Sequence, residues 1–304
     1  MIIMGSLMRF KSLFWINRKE QTRGNKMDIK LVAIDLDGTL LNSKQLLSKE
    51  NKAAIKEAKA AGVQIVLCTG RPLRSMKHLL EEADLLDEND IVITYNGGLI
   101  QKAKTGEIIN ELTLNRDECL DIYQLGQKLN LPVNFIDLDY VYEPEYPKGA
   151  ESIYMNASRA IPKENALKFI DIDIDNLPNP FKINKIVMSR PTEELDAMIP
   201  EIPASYHEKY NIYKSQPFIL EVLPDHVDKG YSMRIIGDML GLEKEQIMGI
   251  GDQENDLSLV TNAGLGVAME NATFEVKAEA DYVTRSNEES GVAAAIKHFL
   301  KLSN

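Results

Sequence analysis

The sequence predicts an α/β fold: a doubly wound, Rossmann-like parallel-sheet core interrupted by an inserted α+β domain. Three observations carry this. From residue 29 to 97, short apolar runs alternate with helical segments in the β-α-β-α-β order of a parallel sheet. Between residues 98 and 221 the pattern changes to hairpin strands with interspersed helices. From residue 222 the alternation of helix and apolar strand resumes and runs to residue 304. The core domain is therefore assigned to 27–97 plus 222–304, and the insert to 98–221.

Residues 29–35 form the first strand, an apolar run with the composition of a strand buried on both faces. A helix follows from Ser48, a good N-cap, to about Ala61, closed by Gly62. Val63–Cys68 is the second strand. Pro72 opens a helix to about Ala83, and Ile91–Thr94 is the third strand. In the insert, Leu99–Gln101 and Ile108–Leu112 flank the turn Lys104-Thr105-Gly106 as a hairpin. A helix capped by Asn115 runs to about Asn130. Val133–Leu138 and Tyr140–Tyr142 read as strands, and residues near Lys163–Ile170 as a helix. Ile183–Met188 is a strand, Pro191–Ile199 a short helix, and Tyr210–Lys214 and Phe218–Leu223 a pair of strands. The core then returns with a helix over Gly230–Leu240 and the strand Ile247–Ile250. A helix to about Asn262, strands Leu265–Ala268 and Asp281–Thr284, and a last helix Glu288–Leu300 complete it.

The formal net charge of −11 argues against a general nucleic-acid or membrane-surface binder. No run reaches the ~18 apolar residues of a membrane span. The two cysteines, Cys68 and Cys119, have no C-x-x-C or framework spacing, which points to a reducing, cytoplasmic compartment. Residues 1–26 stand apart, with six basic residues against Glu20 and apolar patches split by Arg9 and Lys11. Without a proper signal-peptide pattern, they read as a disordered or non-native extension ahead of a start at Met27.

Four spots lie at strand ends or helix starts. Asp35 and Asp37 are two apart, so a strand delivers both to one side, and Gly38 turns the chain away. Two close carboxylates repel, and a hard cation such as Mg²⁺ is the natural compensation. Thr69-Gly70 offers a hydroxyl and backbone amides before a helix, a natural phosphate cradle. Lys229 opens the helix after the insert and can act as a point charge on phosphate, although a lysine before glycine is ordinarily a solvated surface charge. Gly251-Asp252-Gln253-Glu254-Asn255-Asp256 adds carboxylates after another strand.

This set, in this order, resembles the four motifs of the haloacid-dehalogenase-like hydrolase superfamily. The large insert is similar to the α/β cap of its Cof-type branch. Ile93-Thr94-Tyr95-Asn96-Gly97, Phe218-Ile219-Leu220-Glu221-Val222-Leu223 and Gly264-Leu265-Gly266-Val267-Ala268-Met269 resemble the bacterial sugar phosphatases of that branch, of the YidA kind. The resemblance implies a Mg²⁺-dependent phosphatase of small phosphorylated metabolites, acting as a monomer or homodimer. It implies Asp35 as nucleophile and Asp37 as acid and then base. It implies Mg²⁺ held by Asp35, the Asp37 carbonyl and Asp252, with Asp256 orienting a metal-bound water or Lys229. Phosphate oxygens fall to the Leu36 amide, Thr69, Gly70, Lys229 and Asn255, and substrate choice to the cap.

Rival readings are a pyridoxal phosphate or flavin mononucleotide phosphatase, a sugar phosphomutase, and a phosphoryl-binding regulator. Arg116, Arg159 and Arg190 are scattered through the insert, so no arginine cluster supplies a mutase's second phosphate site. A regulator needs neither Asp37 nor a lid. Asp137/Asp139 copies the first spacing without the Gly-Thr turn, and Asp171, Asp173 and Asp175 read as a solvated strand face or loop. The four histidines have no ligand spacing, and Tyr140, Tyr142, Tyr146 and Tyr154 read as packing residues.

Overall fold

Strand β1 (Leu31–Asp35) is buried at every position, as an apolar run covered on both faces must be. The structure, a computed structural model, describes residues 27–158 and 167–300. The expectation for residues 1–26 lies outside the described residues. In chain order β1 is followed by α1 (Lys49–Ala60), β2 (Gln64–Cys68), α2 (Leu73–Glu82) and β3 (Ile91–Thr94). Then come β4 (Leu99–Lys102), β5 (Ile108–Glu111), α3 (Arg116–Lys128), β6 (Val133–Ile136), β7 (Tyr140–Glu143), α4 (Ile153–Ser158) and β8 (Lys168–Asp171). Next are β9 (Lys185–Ser189), α5 (Thr192–Met198), α6 (Ala204–Lys209), β10 (Tyr210–Gln216) and β11 (Ile219–Pro224). The chain closes with α7 (Lys229–Met239), β12 (Ile247–Gly251), α8 (Leu257–Asn262), β13 (Leu265–Ala268), α9 (Phe274–Glu279), β14 (Tyr282–Val283) and α10 (Gly291–Phe299).

These elements form two compact units. Among the described residues, one comprises 27–69, His78–Val92 and 229–300; the other comprises Gly70–Lys77 and Ile93–Asp228.

In the first unit, parallel strands run in the order β14-β13-β12-β1-β2. Leu31 pairs with Ile247 on one side and Gln64 on the other. The chain steps from β1 to β2 in one direction, then later from β12 outward to β14 in the other. The order reverses between β1 and β12, so ligand chemistry belongs at their carboxyl ends, where Asp35 and Gly251 lie. Asn51 in α1, 1% exposed, fastens the loop after β1. Its Nδ2 donates to the Leu40 carbonyl at 3.0 Å, and its Oδ1 accepts from the Ala293 amide of α10 at 2.9 Å.

In the second unit, six strands run β10-β11-β9-β6-β7-β8, antiparallel except for the β7/β8 pair. Phe135, Ile186, Met188 and Val222 from the sheet pack with Ile122 and Leu125 of α3. Asn115 caps α3 in a capping box with Glu118. The hairpin β4/β5 sets Leu99 opposite Glu111.

The helix expected near Lys163–Ile170 is corrected: Lys168–Asp171 is strand β8, paired in parallel with β7, while residues 159–166 lie outside the described ones. β8 is the last strand in its sheet's order, and its residues are mostly exposed, so its burial leaves no clear period of 2 to read. The last helix starts at Gly291, after a 3₁₀ turn over Asn287–Glu289 and a left-handed Ser290 with φ of 56°. Three six-residue helices, α4, α6 and α9, had no sequence expectation, because so short a segment shows less than two full turns of period.

Asn51→Ala removes the partner of two backbone groups. The expected cost is about 2–4 kcal/mol, read as a Tm fall of roughly 10 °C. An unchanged Tm in thermal unfolding would show that Asn51 does not fasten this loop.

Candidate active site

The end of β1 places Asp35 at the reversal point, with its side chain buried. Lys229, the first residue of α7, reaches it across 194 residues of sequence: Nζ donates to Asp35 Oδ1 at 2.5 Å and to Asp256 Oδ1 at 2.6 Å. The side chain of Lys229 is 0% exposed. It is no solvated surface lysine, which was its ordinary reading.

Asp256 holds the other end of this bridge. Its Oδ2 accepts the backbone amides of Asp252 at 2.9 Å and Gln253 at 3.1 Å. One carboxylate thus closes the turn after β12 and anchors the lysine. Asp252 is fixed from within its own turn and from two other loops. Thr39 Oγ1 donates to its Oδ1 at 2.8 Å, and Gln253 Nε2 to its Oδ2 at 3.2 Å. Asn271 Nδ2 approaches the same Oδ2 at 3.5 Å while donating to the Gly38 carbonyl at 2.8 Å. Gly38, with φ of +82°, turns so close beneath Asp252 that an added Cβ would sit 2.5 Å from Oδ2. Only glycine suits that turn.

Asp35, Asp252 and Asp256 each offer an oxygen, and these lie within 4.8 Å of one another, all buried. Three carboxylates face one ammonium. Burial, then Asp256, push the Asp35 carboxyl well above the usual carboxylate range, with Lys229 opposing. Burial and Asp256 likewise raise Asp252 to about 6. The two neighbouring carboxylates keep Lys229 charged despite its burial. The cluster is short of positive charge and rich in hard oxygen donors, so its residues fit a divalent cation such as Mg²⁺.

Of the other expected site residues, Leu36 and Thr69 are buried, and Asn255 is half-buried in the turn that contains Asp256. Register puts Asp35 opposite Cys68, so Thr69 follows on the neighbouring strand end. Asp37 lies one turn beyond, bridged to Leu41, with its side chain exposed and outside the three-carboxylate group. Gly70 begins the second unit. Cys68 is buried and its thiol is pushed far up by desolvation, so it is no nucleophile.

The acidic and aromatic residues of the insert have structural roles. Asp137 Oδ1 accepts the amides of Asp139 and Tyr140, and its Oδ2 accepts Tyr142 Oη at 2.7 Å, which caps a hairpin. Tyr142 packs edge-on against Phe181, and Tyr146 and Tyr154 pack against the cluster around Phe135's neighbour Ile136. Asp173 caps a 3₁₀ turn, and His226 is exposed beside Asp225. Thr39 and Asn271 had no assigned role in the sequence. Thr39 follows the Asp-x-Asp-Gly turn and was a legible candidate; Asn271 reaches Gly38 over 233 residues and carries no local signal.

The family model described as haloacid dehalogenase-like hydrolase matches residues 32–296. The chain belongs to that family. The Bacillus subtilis protein YxeH is 40% identical over 267 residues, covering 88% of this chain and 97% of the relative. From the same organism, the 5-amino-6-(5-phospho-D-ribitylamino)uracil phosphatase YcsE is 34% identical, covering 90% of this chain and 97% of the relative. A crystal structure of a haloacid dehalogenase-like hydrolase from Bacteroides thetaiotaomicron is 29% identical, with a TM-score of 0.72 over 88% of this chain and 98% of that one. Within the matched span, Asp35, Lys229, Asp252 and Asp256 are the residues that converge at the strand ends.

A raised Asp252 means that the folded, metal-free protein binds this proton more tightly than the unfolded chain. Its contribution to stability is therefore largest at low pH and falls as pH rises through about 6. A cation competes with that proton. Apparent Mg²⁺ affinity should be about tenfold weaker at pH 5 than at pH 7.5. Accordingly, Mg²⁺ should raise Tm more at the higher pH. Equal Tm shifts at both pH values would contradict this reading of the cluster.

Proposed function

We propose that the chain is a Mg²⁺-dependent phosphatase of small phosphorylated metabolites, sugar phosphates foremost, working in the cytoplasm through a phosphoaspartyl intermediate on Asp35. The observation that carries this reading is the buried Lys229, which locks Asp35 at the strand end beside Asp252 and Asp256. Membership of a hydrolase family and relatives named as phosphatases support it. Two free, buried cysteines suit a reducing compartment.

Lys229 holds Oδ1 of Asp35, and attack on phosphorus comes from the other oxygen. The bond from phosphorus to the leaving oxygen breaks, and the Asp37 carboxyl gives that oxygen its proton. In the second half, the Asp37 carboxylate takes a proton from water as the water oxygen attacks phosphorus. The acyl-phosphate bond breaks, Asp35 is restored and inorganic phosphate leaves. The exposed position of Asp37 suits a group that must exchange protons with solvent. The Leu36 amide, Thr69, Gly70, Lys229 and Asn255 hold phosphate oxygens, so the residues mainly position and neutralise. Asp35, the Asp37 carbonyl and Asp252 would hold Mg²⁺, with Asp256 fixing the lysine and the turn. Bound there, the ion lessens repulsion between carboxylate and phosphate dianion.

One relative favours a second reading of the substrate. YcsE is named for 5-amino-6-(5-phospho-D-ribitylamino)uracil, in which the phosphate sits on a ribityl chain. A phosphorylated sugar alcohol joined to a heterocycle is therefore the runner-up to a simple sugar phosphate.

Phosphate release from a panel containing hexose phosphates, pentose phosphates and the phosphoribityl compound tests both readings. Release should need Mg²⁺ and vanish in Asp35→Asn. A variant keeping a tenth of the wild-type rate would remove Asp35 as nucleophile. Lys229→Ala, checked by Tm for folding, should lower kcat/KM by roughly 100-fold or more. An unchanged kcat/KM would return Lys229 to a structural role.

A further inference from the structure

The second unit contains a buried polar hub whose purpose the catalytic scheme does not explain. Tyr95 and Asn96 carry left-handed φ angles of 51° and 53°, unusual and costly for non-glycine residues in succession. Their neighbours hold them there. Tyr95 Oη donates to the Asp137 carbonyl at 2.9 Å. Asn96 Nδ2 donates to Tyr213 Oη at 2.6 Å and to Glu221 Oε2 at 3.0 Å. Tyr213 Oη donates to the same Oε2 at 3.1 Å, while Ser215 Oγ and Lys185 Nζ each donate to Oε1 at 3.0 Å. Glu221 thus accepts four hydrogen bonds, which is the capacity of a carboxylate. Saturated in this way, it has no lone pair left for acid–base work or for a ligand.

The hub converges on Gly70. Lys185 Nζ also donates to the Gly70 carbonyl, at 3.3 Å. An added Cβ on Gly70 would lie 2.7 Å from Asn96 Nδ2, so Asn96 closes the open side of that residue. Because a peptide unit is planar and trans, fixing this carbonyl also fixes the direction of the Arg71 amide on its far side. Lys185 is kept charged by Glu221 despite its burial, and a charged donor makes the stronger hydrogen bond.

We propose that Lys185, braced by Glu221 and Asn96, is a positioning residue for the phosphate-binding turn, acting through the Gly70 carbonyl. This rests on the assignment of Gly70 to phosphate made above.

The test measures inorganic phosphate binding by calorimetry on the full chain with Mg²⁺, together with kcat/KM on p-nitrophenyl phosphate, for wild type, Lys185→Met and Lys185→Arg. The expected result is phosphate binding and kcat/KM both weakened at least tenfold in Lys185→Met, Mg²⁺ affinity unchanged, and most of the loss recovered in Lys185→Arg. If Lys185→Met fails to fold, the double variant Lys185→Met/Glu221→Gln removes both charges together and should show the same loss of phosphate binding. Phosphate binding in wild type that persists unchanged in the folded variant overturns the positioning role alone. Equal loss of Mg²⁺ and phosphate binding also overturns it, as a general folding defect. No phosphate binding by wild type overturns the underlying phosphatase reading and this inference with it.

Discussion

Everything in the first unit answers to one buried ammonium. Lys229 sits between Asp35 and Asp256 with its side chain withdrawn from solvent. Desolvating a charge is expensive unless partners replace the lost water, and here two carboxylates do so. The dependence is mutual. Without the lysine, Asp35 would lie in a low-dielectric site beside two like charges, with nothing to oppose the rise that burial and Asp256 already impose on its carboxyl. The lysine offsets only part of the negative charge of the cluster. The remainder leaves a cluster of hard oxygen donors that fits a divalent cation.

Topology explains how residues so distant in sequence meet. β1 and β12 are adjacent and parallel, and the strand order reverses between them. Their carboxyl ends therefore deliver Asp35 and the turn Asp252–Asp256 side by side. α7 then needs only to begin at Lys229 for its first side chain to complete the group. Thr39 and Asn271 orient Asp252 from two further loops, so its direction depends on the whole end of the sheet. The second unit has a comparable economy: Glu221, Lys185 and Asn96 come from three places in the chain and converge on Gly70.

The core fold was legible because buried parallel strands announce themselves as apolar runs, and Leu31–Asp35, Gln64–Cys68 and Ile247–Gly251 all do. Asp35 stood out as one of two carboxylates where such a run ends, a feature that an acidic turn explains equally well until the downstream motifs are set beside it. Lys229 was not legible by itself: a lysine before a glycine looks like a surface charge, and only its order among the other motifs gave it away. Asn271 had no local sign, because its role is a contact with a loop at the other end of the chain. β8 differs from the expected helix because the last strand of a sheet, largely exposed, obeys no clear alternation. The short helices α4, α6 and α9 escaped because six residues set by tertiary packing show too little period.

The central claim is that Asp35, held by Lys229, takes the phosphoryl group covalently. Its most direct test is acid quenching of the enzyme during turnover of a ³²P-labelled substrate, followed by peptide mapping of the trapped label. The account predicts label on the peptide containing Asp35, lost when hydroxylamine cleaves the acyl phosphate. Label on another residue, or turnover with no trapped phosphate at any quench time, would contradict it.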